Sequence, residues 1–212
     1  MGYLNFYDKL NLMEDKEYVE NFLVYNLSLV IAGVKPAVTI TIKKNNHKLY
    51  NNWNTLGHDF IKELDLDYVE LRESINSIVV MVYDKLILER IFTYKDNIEF
   101  LKNLGYPSNL KIDNYINTLK VRYEKYHCPH ELGLFLGIPI KDVKDFMECT
   151  TKKCLMCKYW KVYNDSTKAE ETFNTYDKIK DYTMKHILEG NSSINLILSI
   201  KNSFYESSMY SF

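Results

Sequence analysis

Six side chains able to ligate a metal or act as nucleophile and base fall within one short stretch of this chain: His127, Cys128, His130, Cys149, Cys154 and Cys157. Zinc takes four N or S ligands in a tetrahedron, and Cys154-x-x-Cys157 has the spacing at which two thiolates converge on one ion. Cys128 and His130, either side of Pro129, could complete the set, although theirs is not a standard finger or ribbon spacing. A zinc or iron ion held by Cys128, His130, Cys154 and Cys157 is therefore one expectation. Thiol chemistry is the other. Cys128 directly precedes Pro129, a good first residue for a helix, and helix N-terminal amides stabilise a thiolate. His130 would assist, and Cys157, entering a strand, would be a resolving thiol or a ligand. Against both stands a plainer reading, in which the cysteines are small buried hydrophobes.

A second constellation runs from Glu131 to Phe146. Gly133 permits close crossing of two helices, Gly137 makes a turn, and Ile138, Val143 and Phe146 supply buried faces, so residues 131–147 read as a helical hairpin. A DNA-reading helix needs basic and amide side chains toward phosphates and base edges. Here the second helix sets Asp142, Asp145 and Glu148 against Lys141 and Lys144, so nucleic acid is not an expected partner. Lys35, in Lys35-Pro36-Ala37, is a candidate cofactor-binding residue, an ammonium for an anion at a sheet edge, set against the plainer reading of a solvated lysine. No Ser-His-Asp set, paired carboxylates or Gly-rich phosphate loop is legible.

The elements that must position these residues follow from periodicity. Tyr18, Val19, Phe22, Leu23, Leu27, Leu29 and Val30 recur at helical spacing and stop at Gly33, which predicts a core helix. Val38, Ile40 and Ile42 alternate with Thr39 and Thr41 as in a half-buried strand, and a loop and polar helix are expected from there to about Leu71. Ile78 to Tyr83 is a continuous β-branched run, expected of a strand buried on both faces. Asp84 then caps a long helix carrying Leu86, Ile87, Ile91, Ile98 and Leu101 to Gly105, and another spans Ile112 to Tyr126. Tyr159 to Tyr163 reads as a third strand, and Asp165 or Ser166 caps a helix from Thr167 to Leu188. Three strands among about seven helices imply an α+β fold with a small sheet. The domain should span residues 1–189, with 190–212 as a C-terminal appendage packed on it or on a neighbour.

Lys plus Arg is 27 and Asp plus Glu is 28, giving a net charge of −1; no global field favours nucleic acid or an acidic membrane surface. The longest apolar stretch is too short to cross a bilayer, and the N-terminus lacks signal-peptide character. A cytoplasmic protein with reduced thiols and no membrane partner is expected. The exposed hairpin and aromatic tail leave a homo-oligomer or a protein partner as expectations.

Taken together, Cys128-Pro129-His130-Glu131-Leu132-Gly133-Leu134-Phe135-Leu136-Gly137-Ile138-Pro139, then Asp142-Val143 and Phe146, then Cys157-Lys158-Tyr159-Trp160-Lys161-Val162-Tyr163, resemble domain-of-unknown-function family 3793, small proteins of anaerobic, largely clostridial bacteria. Ala32-Gly33-Val34-Lys35-Pro36-Ala37 is similar to that family's N-terminal motif, so the resemblance covers about residues 15–185. The chain departs from the family wording at Lys158, where Gly is usual, and at Ile138, where an aromatic is usual; neither change removes a reactive group. The resemblance implies no established activity. It implies an anaerobe's cytoplasm, where exposed thiols and oxygen-sensitive metals are tolerable, and it singles out Cys128, His130 and Cys157 above Cys149 and Cys154. Two functions are thus expected: a thiol- or metal-site protein with a redox or metal-handling role, or a regulatory or interaction module using the 131–147 hairpin and the tail.

Overall fold

The computed structural model describes the backbone of residues 2–108, 111–148 and 151–208, with side chains from 6 to 204 within those spans. Cys149 lies outside the described residues, as does the end of the tail. The fold is α+β: an antiparallel sheet in the order β1-β3-β2, formed by β1 (Ala37–Lys43), β2 (Asp67–Glu73) and β3 (Ser77–Tyr83), with helices on both faces. Helical segments outnumber the seven expected.

β3 is central, and its continuous apolar run fits that place. Ile78, Val80 and Val82 face one core, while Met81 and Tyr83 face another. Each face needs its own helical layer, because an apolar sheet face must be covered. On the first face lie α1 (Gly2–Leu12), α2 (Asp15–Ile31), α3 (His47–Asn52), α4 (His58–Glu63), α10 (Ser166–Leu188) and α11 (Ser193–Ser208). α2 is buried around most of its circumference, from Tyr18 and Val19 to Val30 and Ile31, as expected of a helix wrapped by others. On the second face lie α5 (Lys85–Ile91), α6 (Lys95–Asn103), α7 (Ile112–Tyr126), α8 (Leu132–Phe135) and α9 (Ile140–Met147). A π-helical turn, Trp53–Gly57, seats Trp53 in the first core, its indole donating to Glu70 of β2 at 2.9 Å.

Four expectations about elements need correction. The segment before Leu71 was expected to be loop and polar helix, yet β2 spans Asp67–Glu73. It is an edge strand whose alternation is reset by a bulge between Glu70 and Arg72, which turns Leu71 fully into the second core. The expected long helix after Asp84 is two helices: Asp84 does cap α5, accepting from the Ile87 N–H at 3.0 Å, but the Asn97 amide takes the Ile91 carbonyl at 2.9 Å and the chain restarts as α6. Leu86, expected in the core, is 74% exposed. Finally, Tyr159 to Tyr163 is no third strand of the main sheet. It belongs to a separate short hairpin of β4 (Met156–Cys157) and β5 (Lys161–Val162), which packs on α10 through Trp160, Val162 and Phe173.

The segment after Gly190 forms α11, which lies against α2 and α10. Leu196 and Ile200 enter the same core as α2, and Ser193 donates to Glu20 of α2. Ile194 and Leu198 on its other side are exposed.

Candidate functional site

The three segments that carry the family resemblance meet in space. α2 ends at Gly33, whose φ of 71° lets the Val34 and Lys35 amides turn back to the Leu29 carbonyl. The chain then enters β1 through Pro36, whose carbonyl accepts from Asp84 at the head of α5 at 2.9 Å. Gly137, φ 79°, presses directly on this joint: a Cβ there would lie 2.7 Å from Pro36 Cδ. Gly133 faces Val143 and Ile138 so closely that a Cβ would sit 3.2 and 3.3 Å from their side chains. The expected helical hairpin is therefore present as α8 and α9, and its turn is seated on the α2–β1 joint.

The third segment is pinned by one carboxylate. Asp142, in the first turn of α9, is 3% exposed. It accepts from the Trp160 indole at 2.9 Å, the Tyr163 and Asn164 backbone N–H at 3.0 and 3.1 Å, and the Asn164 side chain at 2.8 Å. These bonds fasten the end of the β4–β5 hairpin, from Trp160 to Asn164, onto α9. Asp145, one turn on, accepts from Lys152 and Asn164, and both contacts hold its carboxyl below the usual carboxylate range. Asp142 and Asp145, two of the three acids that argued against DNA reading, thus fasten the β4–β5 hairpin segment.

Between this assembly and α10 opens a cleft of about 1110 Å³. Ile138, Pro139 and Lys141 form one wall, Tyr94 and Asn97 the head of α6 beside it, and Lys168, Glu171, Thr172 and Thr175 the opposite wall on α10. Trp160, Val34 and Tyr176 close its floor. Its polar groups include cations and anions, amides and hydroxyls.

The expected thiol and metal residues lie in other places. Cys128 is exposed and lies close enough to Tyr123 of α7 to raise the pKa of that phenol, behind burial as the larger cause. The helix expected to begin at Pro129 is a turn leading into α8, only four residues long, so the dipole argument for a Cys128 thiolate loses its helix. His130 is exposed, with its ring 4.9 Å from that of Phe146. Phe146, expected to be buried, is 40% exposed, and Lys161 reaches over it at 5.4 Å. Cys157 is exposed and pairs across the hairpin with Lys161. Cys154 donates its thiol to the Met156 carbonyl at 3.2 Å. Among the described residues, no three His, Cys, Asp or Glu side chains gather as a metal site would require.

Lys35 emerges where its sequence position suggested, at the joint between α2 and the edge strand β1. Its ammonium stands 5.9 Å from the centre of the Tyr176 ring, and burial pulls its pKa down to about 8. Sequence reasoning missed its neighbour. Lys180, one turn beyond Tyr176 on α10, donates to the Tyr25 and Asn26 carbonyls of α2 and stands 4.5 Å from the Tyr25 ring centre. Burial first, and the charge of Lys35 second, lower it to about 7. A lysine on an amphipathic helix reads as a solvated residue, so no local signal marked Lys180. Also unforeseen is a buried ion pair: Glu131, 1% exposed, accepts from Arg122 of α7 and from the Tyr106 hydroxyl.

Comparisons with known proteins agree with the motif geometry. A family model described as a protein of unknown function, DUF3793, matches residues 23–197, which include all three converging segments. Neither the curated proteins nor the solved structures contain a match. With most of its length matched by that model, the chain belongs to the DUF3793 family.

Proposed function

We propose that this protein is an interaction module that takes an extended segment of a partner protein into the cleft between the α8–α9 hairpin and α10. The observation that carries this reading is that the three family segments, distant in sequence, each contribute to the lining of that cleft, through Val34, Gly137 and Trp160. Its volume of about 1110 Å³ exceeds the roughly 300–1,000 Å³ of pockets for small ligands. Its walls offer both signs of charge, with Lys141 and Lys168 against Asp165 and Glu171, and the aromatic side chains of Tyr94 and Trp160 also line it. Such mixed chemistry suits a peptide, whose backbone and side chains present donors, acceptors and charges in turn. The tail enters this reading less than expected, because Leu196 and Ile200 of α11 are used in the protein's own core.

The test is selection of displayed random peptides against full-length protein, followed by titration of the selected peptides against Thr172→Arg, which fills the cleft from an α10 position. Peptides that bind wild type and lose binding to Thr172→Arg support the reading. Selected peptides that bind both proteins equally would count against it.

A second reading rests on the exposure of Cys128 and Cys157. In it the protein handles redox equivalents, or a zinc or iron ion, through those thiols, with His130 and Lys161 lying beside Phe146 on the same exposed strip. Metal analysis of protein purified without oxygen, with thiol titration of Cys128→Ser and Cys157→Ser, addresses it. Absence of metal together with ordinary, slow thiols would remove it.

A further inference from the structure

The two edges of the antiparallel sheet are guarded very differently, and neither the cleft nor the exposed thiols account for the difference. We propose that the open edge of β1 pairs with β1 of a second copy of this chain, joining two three-stranded sheets into one across a two-fold axis.

Hydrogen-bond polarity is the first argument. The β1–β3 ladder is closed at its ends by the Asp84 N–H on the Pro36 carbonyl at 2.9 Å and by the Lys44 N–H on the Asn76 carbonyl at 2.8 Å. The register between them is uninterrupted, so the even-numbered residues of β1 bond to β3, and Thr39, Thr41 and Lys43 aim their backbone groups away from the sheet. All three residues are exposed. The Lys43 carbonyl accepts from the Asn46 N–H at 2.9 Å, whereas among the described residues no hydrogen bond reaches the outward groups of Thr39 or Thr41. Ala37 is fully buried in the second core, so the open stretch runs from Thr39 to Lys43.

The contrast with β2 is the second. A bare row of strand N–H and C=O groups invites pairing with another chain, and native proteins blunt such rows with charge, bulges or a covering helix. The β2 edge has all of these: Asp67, Glu70, Arg72 and Glu73, a bulge between Glu70 and Arg72, and α7 packed against it. From Ala37 to Ile42, β1 has no charge, no bulge and no proline, in a run of Val, Ile and Thr, residue types enriched in strands.

The strand's own pattern names the occupant. A two-fold axis through Ile40, normal to the sheet, sets Thr39 of each copy opposite Thr41 of the other, and the open N–H and carbonyl groups of both then exchange bonds. Thr opposite Thr is a favourable cross-strand pair. The same axis keeps Val38, Ile40 and Ile42 of both copies on the first-core side and sends the two Lys43 side chains to opposite ends of the paired stretch, so no like charges meet. A net charge of −1 adds little repulsion between copies. An unrelated strand would need the same alternation and charge spacing, which a second β1 has by construction.

Sedimentation equilibrium of full-length protein, up to its solubility limit, is the test, with amide exchange read on the same samples. Wild type should show a monomer–dimer equilibrium, and the Thr39 and Thr41 amides should gain protection as concentration rises while those of Tyr68 and Glu70 on β2 do not. Thr41→Pro removes an outward N–H that β3 does not use, so it should keep the circular dichroism of wild type and raise the dimer dissociation constant about tenfold or more. If Thr41→Pro does not fold, the wild-type exchange data decide alone. A monomer at every concentration, dimers whose Thr39 and Thr41 amides stay unprotected, or a folded Thr41→Pro that dimerises as wild type does would overturn the proposal.

Discussion

Asp142 and the pair Lys35 and Lys180 are charges drawn into the protein, and their surroundings differ in kind. Around Asp142 the structure supplies four donors at 2.8 to 3.1 Å and, among the described residues, no paired cation. A buried carboxylate so satisfied is a fastening: each donor belongs to the β4–β5 hairpin segment, and the carboxylate holds that segment on α9. Around the lysines the structure supplies two backbone carbonyls and two aromatic rings, and among the described residues no carboxylate pairs with either. Satisfied burial of a charge specifies structure, whereas burial of a cation without a countercharge lowers its pKa toward neutrality.

The sharpest way to break this comparison is Asp142→Ala, which orphans four donors in a closed site. It should destabilise the protein by about 4 kcal/mol and loosen the hairpin, read from denaturant unfolding and from Trp160 fluorescence. A loss below about 1 kcal/mol would mean that the fastening is not there. Glu131→Ala tests the same logic on a carboxylate whose partner is a cation. Removing one side of a buried pair leaves Arg122 uncompensated, and about 3 kcal/mol should be lost. Next is the seat of the hairpin turn. Gly137→Ala meets both a left-handed backbone and Pro36, and should cost about 2 kcal/mol or more; Gly190→Ala, at φ 82° with nothing within 4 Å, should cost only about 1 kcal/mol.

The corresponding test on the lysine side is a pH dependence of stability. Lys180 has a folded-state pKa of about 7 against an ordinary 10.5, so in this window the unfolded chain binds more protons than the folded one. Stability should therefore rise as pH increases from about 7 toward 10.5, and Lys35 adds a parallel rise beginning near 8. Thermal unfolding should show this slope in wild type and a reduced slope in Lys180→Met. An equal slope in both would remove Lys180 from the account.

Much of the architecture was legible because it rests on local signals. The α2 periodicity, the β3 run, the Asp84 and Asp165 caps and the span of α7 are each written within a few residues of where they act. β2 was not, because an edge strand with charged residues on one side acquires its identity from β3, and its bulge destroys the period that would have announced it. The Tyr159 to Tyr163 segment misled for a related reason: its alternation is genuine, but its ladder is the two-residue pairing with β4, and Asp142 takes the backbone N–H groups of Tyr163 and Asn164 that follow. At the site, Lys35 was visible as a lysine at a helix-to-strand joint, whereas Lys180 is 145 positions away and acquires meaning only when α10 is laid on α2. Clustering of the cysteines in sequence likewise said little about their places in space, since Cys128 lies near Tyr123, Cys154 turns to its own backbone and Cys157 lies opposite Lys161.

The central claim is that the converging motifs build the cleft for a partner segment. Amide hydrogen exchange of full-length protein with and without a selected peptide tests it most directly, since it locates the bound surface without altering the protein. The account predicts added protection in residues 137–142 and 168–176, the two walls of the cleft, with α11 unchanged. Protection confined to the outer side of α11 around Ile194 and Leu198, with both cleft walls unaffected, would contradict it.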